Sequence, residues 1–221
     1  MSLTVTPAPP SRSARLIGEE TLNQITHGAG WLASLVGAIC LVSRAWQHAG
    51  QRQFVGCTVY ALTLVALYGA STLSHSFLDP RRRHFFRMLD QVCIFLLIAG
   101  TFTPFGLTFL REGWTSALTG CIWTGALVGI LFKVCFSRLR NVATTVYVLL
   151  GWMPILAWSQ ITASVPSGAT DLMLAGGVLY TVGTVFLMTD EHVPYFHAVW
   201  HLLVIAASTC HFAAVWQYVL A

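Results

Sequence analysis

Seven long stretches without a charged side chain dominate this 221-residue sequence. Each is at least 18 residues long and lacks Asp, Glu, Lys and Arg; they cover 21–43, 53–78, 91–110, 113–132, 141–170, 172–189 and 192–221. A helix needs about 20 mostly apolar residues to cross the hydrocarbon core of a bilayer, because it rises about 1.5 Å per residue. The sequence therefore predicts an all-α integral membrane protein, a bundle of seven transmembrane helices.

The rest of the composition excludes several other classes of protein. Only 9% of the residues are charged, against about 25% in an ordinary soluble domain. The net charge of +4 comes from scattered loop arginines, which does not indicate a nucleic-acid-binding face, so we expect no nucleic-acid partner. The six cysteines lie in apolar stretches without a C-x-x-C pair, which is typical of small core residues rather than of disulfides or thiolate metal sites.

The predicted domain organisation is simple. Residues 1–20 contain three prolines and no apolar core, so we expect a disordered cytoplasmic tail rather than a signal peptide. Residues 21–221 are expected to form a single seven-transmembrane domain with short connections. The predicted spans are 25–46, 54–77, 89–110, 114–135, 142–160, 171–188 and 197–219. Pro104 and Pro154 lie inside the third and fifth spans, where either can kink its helix.

The basic residues predict how the bundle is oriented in the membrane. With seven spans, the N-terminal tail and loops 2–3, 4–5 and 6–7 share one side, which carries nine Arg or Lys residues against three on the other. The positive-inside rule then places the N-terminus in the cytoplasm and the C-terminus outside. Tryptophans at the outer ends of four spans agree with this interface: Trp46, Trp114, Trp158 and Trp216.

Four ionisable groups from three predicted helices lie at similar depth near the cytoplasmic interface. His75 ends the second span, Asp90 begins the third, and His197 and His201 begin the seventh. Because His197 and His201 are four residues apart, both imidazoles project from one helix face, and His75 can supply a third nitrogen. Three protein ligands plus an open position are typical of catalytic zinc, so the predicted cofactor is Zn²⁺.

Asp90 and Ser71 are the candidate catalytic residues beside these ligands. If Asp90 faces inward, its carboxylate can accept a hydrogen bond from water at the open position and act as a general base. Ser71, four residues before His75, lies on the same helix face and can orient a substrate carbonyl. Structural alternatives stay open: the histidines can bond neighbouring helices, Asp90 can pair with Arg87, and Ser71 can be a packing residue.

Two further histidines fall within the spans. His211 is ten residues beyond His201, about 15 Å along a helix, which is too far to share one ion. We interpret it as a buried, hydrogen-bonded histidine, with a role in proton transfer or substrate binding as the alternative. His27 begins the first span at the depth of the predicted site, where capping or interfacial placement explains it equally well.

The sequence resembles the hemolysin III family, the bacterial branch of the progestin and adipoQ receptor superfamily that includes the adiponectin receptors. The resemblance rests on G-E-E-T-L-N-Q-I-T-H-G-A-G at 18–30, S-T-L-S-H at 71–75, L-D-Q-V-C-I-F-L-L-I-A-G-T-F-T-P-F at 89–105 and H-A-V-W-H-L-L-V-I-A-A-S-T-C-H-F at 197–212. It implies seven helices with a cytoplasmic N-terminus, in the cytoplasmic (inner) membrane of a bacterium. It also implies zinc held by His75, His197 and His201, with Asp90 contacting the zinc-bound water and Ser71 nearby.

Three hypotheses about function follow. The first is a metal-dependent intramembrane hydrolase that cleaves a lipid amide or ester, as ceramidases do, with a membrane lipid as substrate. The second is a non-enzymatic sensor or regulator of membrane homeostasis, in which zinc joins the second and seventh spans structurally. The third, suggested by the family's name, is a pore-forming hemolysin. It ranks last, because a pore should show polar stripes and these spans are apolar nearly all round.

Overall fold

The computed structural model describes the backbone of residues 12–135 and 140–221, and the side chains of 17–135 and 143–221. In these ranges the chain is helical and contains no β-strand. Seven segments are long and apolar enough to cross a membrane: Ile17–His48, Gln51–Ser74, Pro80–Phe109, Gly113–Cys135, Ala143–Ser164, Ser167–Thr189 and Phe196–Val219. The predicted seven-helix fold is confirmed, and the cytoplasmic placement of the N-terminus stays a prediction.

The helices follow one another with short connections. In chain order they are α1 (Arg12–His48), α2 (Gln51–Ser74), α3 (Pro80–Phe109), α4 (Leu118–Cys135), α5 (Arg140–Gly151), α6 (Trp158–Ser164), α7 (Ser167–Thr189) and α8 (Phe196–Ala214). A 3₁₀ turn at Gly113–Ala117 precedes α4, a second at Met153–Ala157 separates α5 from α6, and a π-helical turn at Val215–Val219 extends α8. The first 3₁₀ turn and α4 make the fourth span, and α5, its 3₁₀ turn and α6 make the fifth.

The first helix is longer than the sequence suggests. It begins at Arg12, so residues 12–20, predicted as part of a disordered tail, are helical instead. Residues 1–11 lie outside the described part of the chain. The extension is held by tertiary contacts, because the Glu20 carboxylate bonds to His75 after α2 and to Arg83 in α3. A composition-based prediction of disorder cannot anticipate such contacts.

The two interior prolines have different consequences. The helix α3 continues through Pro104, where Gly56 of α2 lies against it: a Cβ at Gly56 would be only 2.8 Å from the Pro104 Cα. Glycine therefore allows the two backbones to approach closely at this level. Pro154 instead lies in the 3₁₀ turn that separates α5 from α6, so the fifth span is broken rather than merely kinked.

The most buried spans are the ones that carry the predicted site residues. Within an apolar 18-residue window of each span, the buried share is 56% for the second span, 61% for the third and 44% for the seventh, against 28% or less for the other four. These three spans hold Ser71, Asp90 and the H-x-x-x-H pair, and His75 follows the second span directly. Their central position directs polar groups at their ends toward one another.

Candidate metal centre and cavity

The three histidines predicted as metal ligands lie together. One ligand atom from each of His75, His197 and His201 lies within 4.8 Å of the other two. The imidazole centroids are 5.0 Å apart for His75 and His197, 5.1 Å for His75 and His201, and 4.6 Å for His197 and His201. His201 is fully buried, whereas the other two are half-buried. The grouping expected from the spacing is therefore present; the bound metal stays a prediction.

The local backbone explains how these side chains meet. His75 is the C-cap residue of α2, so its imidazole extends beyond the last helical turn. The connection from α7 to α8 reverses at Tyr195, whose φ of 65° lies in the left-handed region that side-chain-bearing residues rarely occupy. His197 follows two residues later in the first turn of α8, and His201 lies one turn further on the same face.

In two of the three histidines, a carboxylate contacts Nδ1, which is here called the outer nitrogen of the ring. The Nδ1 of His75 is 2.7 Å from Oε2 of Glu20, and the Nδ1 of His197 is 2.6 Å from Oδ2 of Asp190. An ionised carboxylate only accepts hydrogen bonds, so each imidazole donates its Nδ1–H. This tautomer leaves the Nε2 lone pair of both rings available as a ligand.

In the third histidine, His201, a hydroxyl contacts Nδ1 in place of a carboxylate. Thr26 donates its hydroxyl proton to the backbone carbonyl oxygens of Leu22 and Asn23, at 2.9 Å and 3.0 Å. Its oxygen therefore accepts from the Nδ1–H of His201, 3.1 Å away. Each of the three imidazoles then carries its proton on Nδ1 and has an unprotonated Nε2. The orientation of each ring is fixed by the hydrogen bond at Nδ1. This is the arrangement in which zinc-binding histidines are usually held, so the residues present fit a zinc ion.

Glu20 is itself held in place from α3. Its Oε1 pairs with the guanidinium of Arg83 and lies 3.4 Å from Arg87. Arg87, which the sequence offers as a partner of Asp90, contacts the Glu20 carboxylate. One acidic side chain connects α1, the end of α2 and the start of α3 around the metal centre.

The sequence alone predicts no role for Glu20, Thr26 or Asp190. Glu20 and Thr26 lie within the 18–30 stretch that carries the family resemblance, which was the one available signal for them. Asp190 ends a charge-free stretch seven residues before His197, and this position alone indicates only a helix end. Their contacts depend on how α1 packs against α2 and α8.

Ser71, Asp90 and His27 form a second polar group beside the histidines. The Ser71 hydroxyl is 2.6 Å from Nδ1 of His27, and Asp90 lines the same cavity as these two residues. The His27 ring stacks on His201, with centroids 3.4 Å apart and planes 14° from parallel. His27 is only 3% exposed, so of the two interpretations left open it is the place beside the site, inside the bundle, that the structure has.

A partly open cavity of about 420 Å³ reaches this second polar group. His27, Ser71 and Asp90 line it at the level of the metal centre, and His211 lines it further along α8. Most of the remaining wall is apolar, built from α3, α5, the 3₁₀ turn at Met153–Ala157, α7 and α8. Asp90 therefore faces inward, as its proposed role requires.

Comparison with known proteins identifies the family. A protein-family profile described as Haemolysin-III related matches residues 16–212. The chain belongs to the hemolysin III family. It is 40% identical over 213 residues to Hemolysin-3 of Bacillus cereus, covering 95% of this chain and 96% of that protein. It is 36% identical over 203 residues to the Hemolysin-3 homolog of Bacillus subtilis, covering 91% and 95%.

A more distant similarity extends to mammals. The human Monocyte to macrophage differentiation factor is 28% identical over 208 residues, covering 90% of this chain and 84% of that protein. The hemolysin III match spans every residue of the metal centre and of the cavity wall, from Glu20 to His211. Together with the seven apolar helices, it makes this a multi-pass membrane protein.

Proposed function

We propose that this hemolysin III protein is a zinc-dependent hydrolase that cleaves a lipid amide or ester inside the membrane. One observation carries the proposal: Glu20, Asp190 and Thr26 orient the three imidazoles through Nδ1, beside a carboxylate at the end of an apolar cavity. A metal that only joins helices does not require a nearby acidic residue on a cavity wall to act as a general base. A hydrolytic site does.

The metal would be held by the Nε2 atoms of His75, His197 and His201. When bound, zinc supplies Lewis acidity that polarises a carbonyl and lowers the pKa of water. The protein's own contribution begins with the outer hydrogen bonds, which fix the tautomer and orientation of each ligand before any metal arrives. Removing such outer partners commonly weakens metal binding by about 10–100-fold.

Asp90 is the proposed general base and Ser71 its partner. The Asp90 carboxylate takes the proton from the attacking water and returns it to the leaving amine or alcohol. The Ser71 hydroxyl lies on the cavity wall, as Asp90 does, and its single proton can be donated to a substrate carbonyl. The Nδ1 of His27 is 2.6 Å from the serine oxygen, and this hydrogen bond fixes the position of the hydroxyl.

The cavity suits a lipid rather than a soluble metabolite. Its volume of about 420 Å³ lies within the range of ligand pockets, about 300–1,000 Å³. Its wall is mainly apolar, so it favours acyl chains, and the polar groups at one end are few and grouped around Asp90. The cytoplasmic membrane of a bacterium is the proposed location, with the metal centre near the cytoplasmic face.

The decisive experiment combines metal analysis with a lipid hydrolysis assay. Protein purified in detergent is compared with Asp90→Asn and His197→Ala, and with the matched controls Asp171→Asn and His48→Ala, which alter exposed residues away from the site. We expect one zinc per chain in the wild type, retained in Asp90→Asn and lost in His197→Ala, with turnover absent from both. Full turnover by Asp90→Asn on the best lipid would overturn the mechanism.

A sensor or regulator with a structural zinc is the second candidate function. It is favoured by the way the site joins α1, α2, α3 and α8 through Glu20, Arg83 and the histidines. This function predicts that removing zinc lowers the melting temperature strongly while no lipid amide or ester is cleaved by any variant. The Hemolysin-3 name of the relatives raises pore formation, but the apolar wall of the cavity does not favour a water-filled path.

A further inference from the structure

The first turns of α3 carry arginines on two sides of the helix. Arg83 and Arg87 face the bundle, where both contact the Glu20 carboxylate. Successive residues of an α-helix are rotated by about 100°, so Arg81 and Arg82 project from another side, and both are exposed. Among the residues that the structure describes, neither of these two outer arginines pairs with a carboxylate. The inner pair therefore supports the metal centre, and the outer pair does not.

The side of α3 that carries the outer arginines becomes apolar further along the helix. Phe85 follows Arg81 by one turn and Leu89 follows it by two, about 6 Å and 12 Å along the helix axis. The exposed fractions of these two side chains are 61% and 37%, so the protein covers neither of them fully. The charge-free part of this span begins at residue 91. Positive charge followed by apolar surface matches the order of phosphates and acyl chains in a lipid leaflet.

An aromatic pair positions one of the outer arginines. Phe77, between α2 and α3, stacks on Phe86, with centroids 5.0 Å apart and planes 12° from parallel. The guanidinium carbon of Arg82 lies 5.8 Å from the centroid of the Phe77 ring, within the range of a cation–π contact. The backbone of Arg82 is also fixed, because its N–H donates to Oδ1 of Asp79 at 2.9 Å. The ring contact leaves the N–H donors of the guanidinium available to a ligand.

The charge and the apolar exposure of this surface together indicate what covers it. Four arginines lie between residues 81 and 87, against the two carboxylates that contact them, those of Asp79 and Glu20, which leaves an excess of two positive charges. Leu78, 88% exposed, lies immediately before this segment, and Phe85 lies within it. Water would solvate the arginines but not these apolar side chains. The interface of a bilayer with anionic lipids accommodates both.

We propose that Arg81 and Arg82 bind the phosphate of an anionic phospholipid whose acyl chains lie along Phe85 and Leu89. Arginine presents its N–H groups in a planar fork that matches a phosphate. Two neighbouring arginines favour a lipid with net negative charge over a zwitterionic one. The site is separate from the cavity, because neither arginine lines it. The inference therefore does not depend on the proposed hydrolysis.

The test measures lipid binding to the intact protein. Protein purified in detergent is titrated with dioleoylphosphatidylglycerol, and native mass spectrometry measures the fraction of chains that retain a lipid. Dioleoylphosphatidylcholine is the zwitterionic reference, with the same acyl chains. We expect the anionic lipid to bind roughly tenfold more tightly than the reference, because each arginine near a membrane surface adds attraction for anionic lipid.

Paired substitutions assign this preference to the outer arginines. Arg81→Gln combined with Arg82→Gln should remove most of the preference for the anionic lipid. The matched control combines Arg52→Gln with Arg111→Gln, which removes the same charge from two exposed arginines at the other end of the bundle and should leave the preference unchanged. Phe85→Ser should weaken the binding of both lipids, because both place acyl chains on this apolar surface.

Several results would overturn the proposal. They are equal binding of the two lipids by the wild type, a preference that survives in the outer-arginine variant or falls equally in its control, and unchanged binding by the serine variant. Displacement of phosphatidylglycerol by the same concentration of glycerol phosphate would also overturn it, because the ligand would then be a soluble phosphate. Arg83 and Arg87 are unchanged in every variant, and melting temperatures show that the comparison is made on folded protein.

Discussion

Glu20 and His75 are separated by 55 positions in the chain and joined by a hydrogen bond of 2.7 Å between Oε2 and Nδ1. This contact places a carboxylate from the first helix behind a ligand from the end of the second. Arg83 and Arg87 neutralise and orient the same carboxylate from α3. The geometry of the metal centre therefore depends on the packing of α1, a helix that contributes no ligand itself.

The first prediction concerns this outer carboxylate. Glu20→Gln keeps the shape of the side chain but removes its charge, so the His75 Nδ1–H loses a charged acceptor. We expect zinc affinity to fall by about 10–100-fold, measured by competition with a chelator. Glu112→Gln, at an exposed acid in the loop before α4, should leave affinity unchanged. Equal affinities for the two variants would show that Glu20 does not orient His75.

The hydroxyl behind His201 leads to a second prediction. Thr26→Val preserves the volume of the side chain and removes the acceptor of the His201 Nδ1–H bond of 3.1 Å. Zinc affinity should fall, by less than in Glu20→Gln because a neutral acceptor is lost rather than a charged one. Thr26→Ser restores the hydroxyl and should recover the affinity. A serine variant as weak as the valine variant would assign the effect to packing.

A third prediction separates metal binding from catalysis at His27. Phenylalanine at this position can still stack on His201 but cannot bond the Ser71 hydroxyl, 2.6 Å from Nδ1 in the wild type. We expect His27→Phe to retain zinc at one per chain and to lower kcat for lipid hydrolysis by about tenfold or more. Loss of zinc together with activity would make His27 a structural support of the ligands instead.

The helix contact at Gly56 supplies a fourth prediction. A methyl group there would meet the Pro104 Cα at 2.8 Å, a backbone atom that cannot rotate away. Gly56→Ala should therefore destabilise the bundle by about 1–3 kcal/mol, seen as a lower melting temperature in detergent. Gly120→Ala is the matched control, because a Cβ at Gly120 has no neighbour within 4 Å. A control as destabilised as Gly56→Ala would remove the steric explanation.

Much of the fold could be predicted because the bilayer imposes a simple rule. Backbone polar groups cannot be left unpaired in hydrocarbon, so a charge-free stretch of sufficient length has to be helical. Seven such stretches predicted seven helices, and the structure has them. The ends were less predictable: α1 begins at Arg12 because Glu20 is held by other helices, and no local pattern encodes that contact.

The candidate site, like the fold, could be predicted from the sequence only in part. The one-turn spacing of His197 and His201, and their depth relative to His75 and Asp90, follow from helix geometry and were therefore readable in the sequence. The sequence by itself determined which groups are available and at what height in the bundle. Only the tertiary structure decided that Glu20, Thr26 and Asp190 face the outer nitrogens, that His27 stacks on His201, and that His211 faces the cavity. These contacts join different helices or cross a tight turn, and the rotation of each helix about its axis is set by packing against all its neighbours.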